Sequence, residues 1–153
     1  MNKLFVLFVI CLSGAAMAHE ILLNGCIRKT EDNNTTIIDM QGNVIVDCKD
    51  CTVDLLSNKY YRENGKTTTT IRDEQGKRFL QCRDCTIDLL HNGHYRENGK
   101  TTTTIRDEKG KQVAHCKDCK IDLLPNGQYK ESGNHSIQIK DSKGGKQIGI
   151  PKL

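Results

Sequence analysis

The chain contains no tryptophan, and aromatic residues make up only 5 % of its 153 positions. Large apolar side chains are sparse too, whereas Asp, Glu, Lys and Arg account for 27 %. So thin a supply of core residues excludes a domain held by one large hydrophobic interior, and help from repetition, cross-links or partners is expected. Charge of one sign is also missing. Beyond residue 18 the chain has 22 basic against 19 acidic residues, a net +3 spread evenly along it. That balance argues against nucleic acid as a partner and permits only weak attraction to anionic surfaces. No phosphate-cradling loop occurs, and no nucleophile, base and orienting group follow one another in recognisable order. The sequence therefore predicts a protein that is not an enzyme, with no cofactor and no resident metal.

The one long hydrophobic run lies at the N-terminus. MNKLFVLFVICLSGAAMA has a lone Lys3, apolar residues from Leu4 to Leu12, and small residues ending in Ala16-Met17-Ala18. This is the pattern of a cleavable signal peptide, residues 1–18, with cleavage after Ala18. The run is too short to cross a bilayer and no second one follows, so no membrane span is expected. A secreted, extracellular chain beginning at His19 is the reading.

What the sequence has in plenty is repetition. YRENGKTTTTIRDE occurs unchanged at 61–74 and 95–108, and CKDCTVDLLSN, CRDCTIDLLHN and CKDCKIDLLPN follow one another at a period of 34 residues. The same period sets Asn24-Gly25 on Asn58-Lys59, Thr35-Thr36-Ile37 on Thr69-Thr70-Ile71, and Gly42 on Gly76 and Gly110. Four units at one period indicate an array. Its parts are a degenerate first repeat at 19–47, repeats at 48–81 and 82–115, and a divergent last repeat with its tail at 116–153.

Helical tetratricopeptide arrays share this period, but the residues oppose a helix. Thr67 to Thr70 is a β-branched run, its neighbours alternate, and Gly65, Gly76 and Gly93 interrupt the pattern at short intervals. Strands fit better. The expected unit has a strand at 95–97, a tight turn at Asn98-Gly99, a strand at 100–106, a turn at 107–110 and a strand at 111–115. A Cys-x-x-Cys corner then leads to a strand at 120–124. Alternation sets Thr101, Thr103 and Ile105 on one face and Thr102, Thr104 and Arg106 on the other. The predicted fold class is all-β: tandem 34-residue β-hairpin repeats with CxxC corners clipped by disulfides, preceded by a signal peptide.

The cysteine pairs are Cys48 and Cys51, Cys82 and Cys85, and Cys116 and Cys119. In an oxidising compartment the local reading is structural disulfides that fix turns, each small ring contributing about 2 kcal/mol. Pairing within each CxxC, bridges across repeats, a Cys₄ zinc site and a redox centre all remain distinct readings of this spacing. Strand-like flanks count against a redox centre, which wants a helix N-terminus. Cys26 has no counterpart, since Tyr60, His94 and Gln128 occupy its place, and it leaves an odd number of cysteines after residue 18. It is either unpaired or the link in a disulfide dimer.

The remaining candidates are weaker. His19, His91, His94, His115 and His135 each change from copy to copy and read as surface histidines in turns. The recurrent Asp and Glu residues read as solvated strand ends. Asn33, Asn34 and Asn134 are N-x-S/T acceptors in polar stretches, open to N-glycosylation on a secretory route.

GNVIVDCKDCTV, 42–53, is similar to the signature of the Bomanins, a family of secreted, infection-induced insect host-defence peptides. Gly42, Asn43, Val44 and Ile45 match its start, and Asp47, Cys48, Cys51 and Val53 its end. One residue separates Ile45 from Asp47 where the family has a longer spacer, and Thr52 stands where Asn is usual. The resemblance implies that Cys48 and Cys51 form an internal disulfide and that the protein is released into body fluid under immune control. TTTTIRDEQGKRF, 67–79, is similar to the tyrosine-aspartate repeats of large secreted toxins and adhesins. Two functions are therefore expected in turn: a non-enzymatic host-defence effector or accessory protein, or a structural or adhesive repeat protein of a secretion, matrix or reproductive fluid. Microbial surfaces and other extracellular proteins are the partners that suit these readings.

Overall fold

The computed structural model describes residues 8–9, 17–133, 136–141, 143 and 145–151. Among these there is no helix, and the strands form four antiparallel sheets in strict sequence order. The first sheet holds β1 (Phe8–Val9), β2 (Met17–Ile21), β3 (Ile27–Glu31), β4 (Asn34–Ile38) and β5 (Val44–Cys48). The second holds β6 (Cys51–Leu55), β7 (Tyr61–Gly65), β8 (Thr68–Arg72) and β9 (Arg78–Arg83). The third holds β10 (Cys85–Leu89), β11 (Tyr95–Gly99), β12 (Thr102–Arg106) and β13 (Gln112–Lys117). The fourth holds β14 (Lys120–Leu123), β15 (Tyr129–Ser132), β16 (Ser136–Lys140) and β17 (Lys146–Pro151). Four strands per sheet is the pattern, to which the first sheet adds the two-residue β1.

Two side-chain devices make the turns. Asn24, Asn58, Asn92 and Asn126 each accept, through Oδ1, the backbone N–H two residues on, at 3.1–3.3 Å. Asp39, Asp73, Asp107 and Asp141 each accept two backbone N–H groups, two and four residues on, at 2.7–3.1 Å. Short polar side chains that fold back on their own backbone in this way are what turns select. The hydrogen bonds also hold the Asp39 carboxyl below the usual carboxylate range, the Asn43 side chain contributing most.

The chain divides into two compact units, one running to Lys66 and including Thr70–Phe79, the other comprising Thr67–Thr69 and the chain from Leu80 onward. In the first unit Ile37, Val46 and Cys48 of the first sheet pack with Cys51, Val53 and Tyr61 of the second. In the second unit Ile105, Ala114 and Cys116 of the third sheet pack with Ile121 and Tyr129 of the fourth. Core residues thus lie at sheet junctions, as a repeat too poor to bury its own face requires.

The all-β repeat architecture is as expected, but its phasing differs. Asn98 and Gly99 belong to β11, paired with Thr103 and with Thr86 and Cys85, and the chain reverses at Lys100 and Thr101. The reason is that Asn98 spends its side chain across strands: Nδ2 donates to Asp88 Oδ2 at 3.0 Å, as Asn64 does to Asp54 at 2.9 Å. Gly99 serves close approach, since a Cβ there would lie 2.7 Å from Thr102 Oγ1. Burial, however, is not confined to one face. Thr103 and Ile105 on one face and Thr104 on the other are all buried.

Candidate functional site

The junctions between sheets concentrate the distinctive chemistry. Cys48 ends β5 and Cys51 opens β6, and the two form a disulfide with their Cα atoms 5.7 Å apart. Cys82 of β9 bonds Cys85 of β10, and Cys116 of β13 bonds Cys119 just before β14, each with Cα atoms 5.8 Å apart. Each clip therefore joins the last strand of one sheet to the first strand of the next. The corner itself needs left-handed backbone, supplied by Asp50, Asp84 and Asp118 at φ 51°, 53° and 54°. Aspartate is one of the few side chains that tolerates this region. A threonine fastens each clip from the preceding sheet or strand: Thr35, Thr69 and Thr103 donate through Oγ1 to the carbonyls of Cys51, Cys85 and Cys119 at 3.1, 2.8 and 3.1 Å.

Beside the clips run grooves. In the first unit one of about 350 Å³ is lined by Thr35, Asp50, Cys51 and Lys66 among others. Its counterpart in the second unit, two repeats on, measures about 800 Å³ and carries Arg96, Asn98, Lys100, Thr102, Lys120 and Ser132. The Arg96 guanidinium donates through Nη1 to the Ile121 carbonyl at 3.5 Å and lies 3.8 Å from Asp88 and from Asp122. Its Nε is buried with no hydrogen-bond partner.

The second feature is a tyrosine socket. Tyr61 and Tyr129 are 0 % exposed. The Tyr61 hydroxyl accepts from Asn24 Nδ2 at 2.7 Å and donates to Cys26 Sγ at 3.3 Å. The Tyr129 hydroxyl accepts from Asn92 Nδ2 at 2.8 Å and bonds His94 Nδ1 at 2.5 Å. Cys26 is thus a free, buried thiol filling the place that His94 fills two repeats later. A bond from Cys26 to another chain would require it to leave that socket. Burial, and then the bond to Cys26, push the Tyr61 hydroxyl pKa up to about 12, and burial raises that of Tyr129.

The Tyr61 socket has a consequence at high pH. Below pH 10 the hydroxyl is neutral whether the chain is folded or not. Between 10 and about 12 it ionises only when unfolded, so stability is lost as pH rises through that window. Melting temperatures are expected to fall there for the native chain and to fall less for Tyr61→Phe. Parallel pH profiles for the two would remove Tyr61 as the cause.

The other predicted residues are placed as follows. His94 is buried and bonded, not a surface turn residue, because its ring completes the Tyr129 socket; Nε2 lies 3.6 Å from Glu108. His115 is exposed on β13 with Nδ1 2.8 Å from Thr104 Oγ1, His19 is half-buried on β2, and His91 is exposed in a turn. His135 and Asn134 lie outside the described residues. Asn33 is exposed in a turn, and Asn34 opens β4, its Oδ1 accepting from Asp50 N–H at 3.2 Å. Glu63 and Glu131 are buried and bonded to Arg72 and Lys140 at 2.6 and 2.5 Å. Among the described residues no group of three or more His, Cys, Asp or Glu could hold a metal ion.

No protein family matches the chain, and neither does any curated protein. Solved structures give remote likenesses. The KlHsv2 variant with loop 6CD replaced by a Gly-Ser linker is 12 % identical over 89 % of this chain and 52 % of that one, with a TM-score of 0.47. A protein of unknown function from Bacteroides caccae is 12 % identical over 91 % and 62 %, with a TM-score of 0.36. The TCP10 domain of Danio rerio CPAP is 15 % identical over 96 % and 100 %, with a TM-score of 0.24. The chain spans about half the length of the first of these and 62 % of the second.

Proposed function

We propose that the protein is a secreted, non-enzymatic host-defence effector or accessory protein whose clipped sheet junctions offer grooves to microbial surface polymers. The observation that carries this reading is the set of three CxxC disulfides at the sheet junctions, since such bonds persist in oxidising, extracellular surroundings. The segment that resembles the Bomanin signature makes up β5, the first clip and the start of β6. Removal of residues 1–18 would take away β1, the strand that exceeds the four-strand pattern, and leave His19–Ile21 of β2 paired with β3. The groove of the second unit suits a hydroxylated, anionic chain: Thr102 and Ser132 offer hydroxyls, and Arg96, Lys100 and Lys120 offer positive charge.

Sedimentation of the purified protein with intact microbial cells tests this. The native chain is expected to pellet with the cells, and the double variant Arg96→Gln, Lys120→Gln to bind about tenfold more weakly. Equal binding by both, or none by either, would sink the groove as the site, and a transcript indifferent to microbial challenge would sink the defence role. A structural or adhesive role is favoured by one observation. Leu23 and Met40 are 86 % and 77 % exposed at turn tips where the next repeat has Ser57 and Glu74. Constitutive, gland-restricted expression would select it.

A further inference from the structure

Within each unit one sheet grips the next with the same hand. In the first unit Asn24 donates to the Tyr61 hydroxyl at 2.7 Å, Arg28 donates to the Val53 carbonyl at 2.9 Å, and Ile37 is 0 % exposed. In the second unit Asn92 donates to Tyr129 at 2.8 Å, Arg96 to the Ile121 carbonyl at 3.5 Å, and Ile105 is 0 % exposed. The fourth sheet carries counterparts of Asn24 and Ile37 that are not engaged in this way. Its Asn126 is exposed and turns its amide onto its own Gln128 at 2.7 Å, and Ile139, the counterpart of Ile37 and Ile105, is only half-buried.

The first sheet shows the complementary lack. Ile27 stands where Tyr61 and Tyr129 stand, but it is half-buried where they are 0 % exposed. Ile21, its cross-strand neighbour, is 71 % exposed, whereas the counterparts Leu55 and Leu123 pack on the junction cores. An apolar isoleucine in place of the tyrosine hydroxyl fits a joint closed by aliphatic contact.

We propose that the free face of the fourth sheet docks on the free face of the first sheet of a second copy of this chain, so that copies associate head to tail. The occupant is a second copy because one chain carries both halves of the joint, and the joint continues an interface already built within each unit. Such a heterologous contact closes into a ring or extends as a filament, according to its rotation. Cys26 takes no part, its thiol being held by Tyr61.

Sedimentation velocity over a wide range of concentrations tests the proposal. The native protein is expected at twice its chain mass or more. Ile21→Glu, at a position exposed enough to leave the fold intact, is expected to run as a monomer with unchanged circular dichroism. Leu23→Glu, the same change at a turn tip off this face, is expected to leave association unchanged. A mixture of Ile27→Cys and Asn126→Cys chains is expected to yield a mixed disulfide-linked dimer that neither variant forms alone. A monomeric native protein, equal dissociation by both glutamate variants, or linked dimers from a single cysteine variant would each overturn the proposal.

Discussion

Gly76→Ala is expected to destabilise the protein by about 4 kcal/mol, in the range that marks severe substitutions, while Gly42→Ala costs about 1 kcal/mol. Both glycines close the same Asp-initiated turn, 34 residues apart, and both have left-handed backbone, φ +79° and +88°. The backbone cost of alanine is therefore shared. Surroundings differ. A Cβ on Gly76 would lie 2.0 Å from the Ile45 carbonyl oxygen and 3.0 Å from its carbon, backbone atoms of the neighbouring sheet that cannot rotate away. A Cβ on Gly42 meets nothing within 4 Å. The second sheet's turn is thus pressed against β5, whereas the glycine of the first sheet's equivalent turn faces open space. Chemical denaturation of the two variants measures the difference. Equal losses would mean that backbone strain alone sets both values and that the close approach at Ile45 is not part of the folded protein.

How far the sequence discloses this fold depends on which atoms set each feature. The array was legible because its period is written in side chains that act locally: the turn aspartates and asparagines bond their own backbone, and the cysteines are three residues apart. Burial was less legible. A Thr-Thr-Ile run shows a strand, but period-two alternation leads one to expect a single buried face, and β12 buries residues of both. Asn98-Gly99 misled for a related reason. The pair is a turn former when nothing else claims the asparagine, and here Asp88 of the adjoining strand claims it.

The candidate site divides the same way. Three disulfides within single CxxC pairs are a local event, and the spacing was enough to suggest them. That each clip hands the chain from one sheet to the next was not visible, because a corner within a sheet and a corner between sheets have the same sequence. The tyrosine sockets were missed altogether. Their donors and acceptors, Asn24 with Tyr61 and Asn92 with Tyr129, lie 37 residues apart. A signal did exist: tyrosine recurs at 61, 95 and 129, and Ile27 replaces it in the first copy. Cys26 and His94 stand at equivalent positions, each completing the hydroxyl's second hydrogen bond.

Arg72→Ala is expected to cost about 3 to 5 kcal/mol, the range for stripping the partner from a buried charge. Glu63 is 8 % exposed, and its carboxylate accepts from Arg72 Nε at 2.6 Å. The same guanidinium donates through Nη1 to the Gly76 carbonyl at 3.0 Å, so its loss leaves two acceptors unsatisfied. The third sheet repeats the arrangement with Glu97, Arg106 and Gly110 at 2.8 and 3.2 Å, and the fourth pairs Glu131 with Lys140 at 2.5 Å. The first sheet has an exposed Lys29 and an Ile38 at these positions, so no buried charge arises there. Replacing a buried ion pair by apolar groups of similar size is often neutral or stabilising, whereas removing one member alone is not. The double variant Glu63→Leu, Arg72→Ile is expected to recover most of the stability that Arg72→Ala loses. Urea denaturation of the single and double variants decides it. A loss within about 0.5 kcal/mol for Arg72→Ala would place the pair with ordinary surface ion pairs, and a double variant no more stable than the single would show that the charges themselves, not their mutual neutralisation, hold the strand.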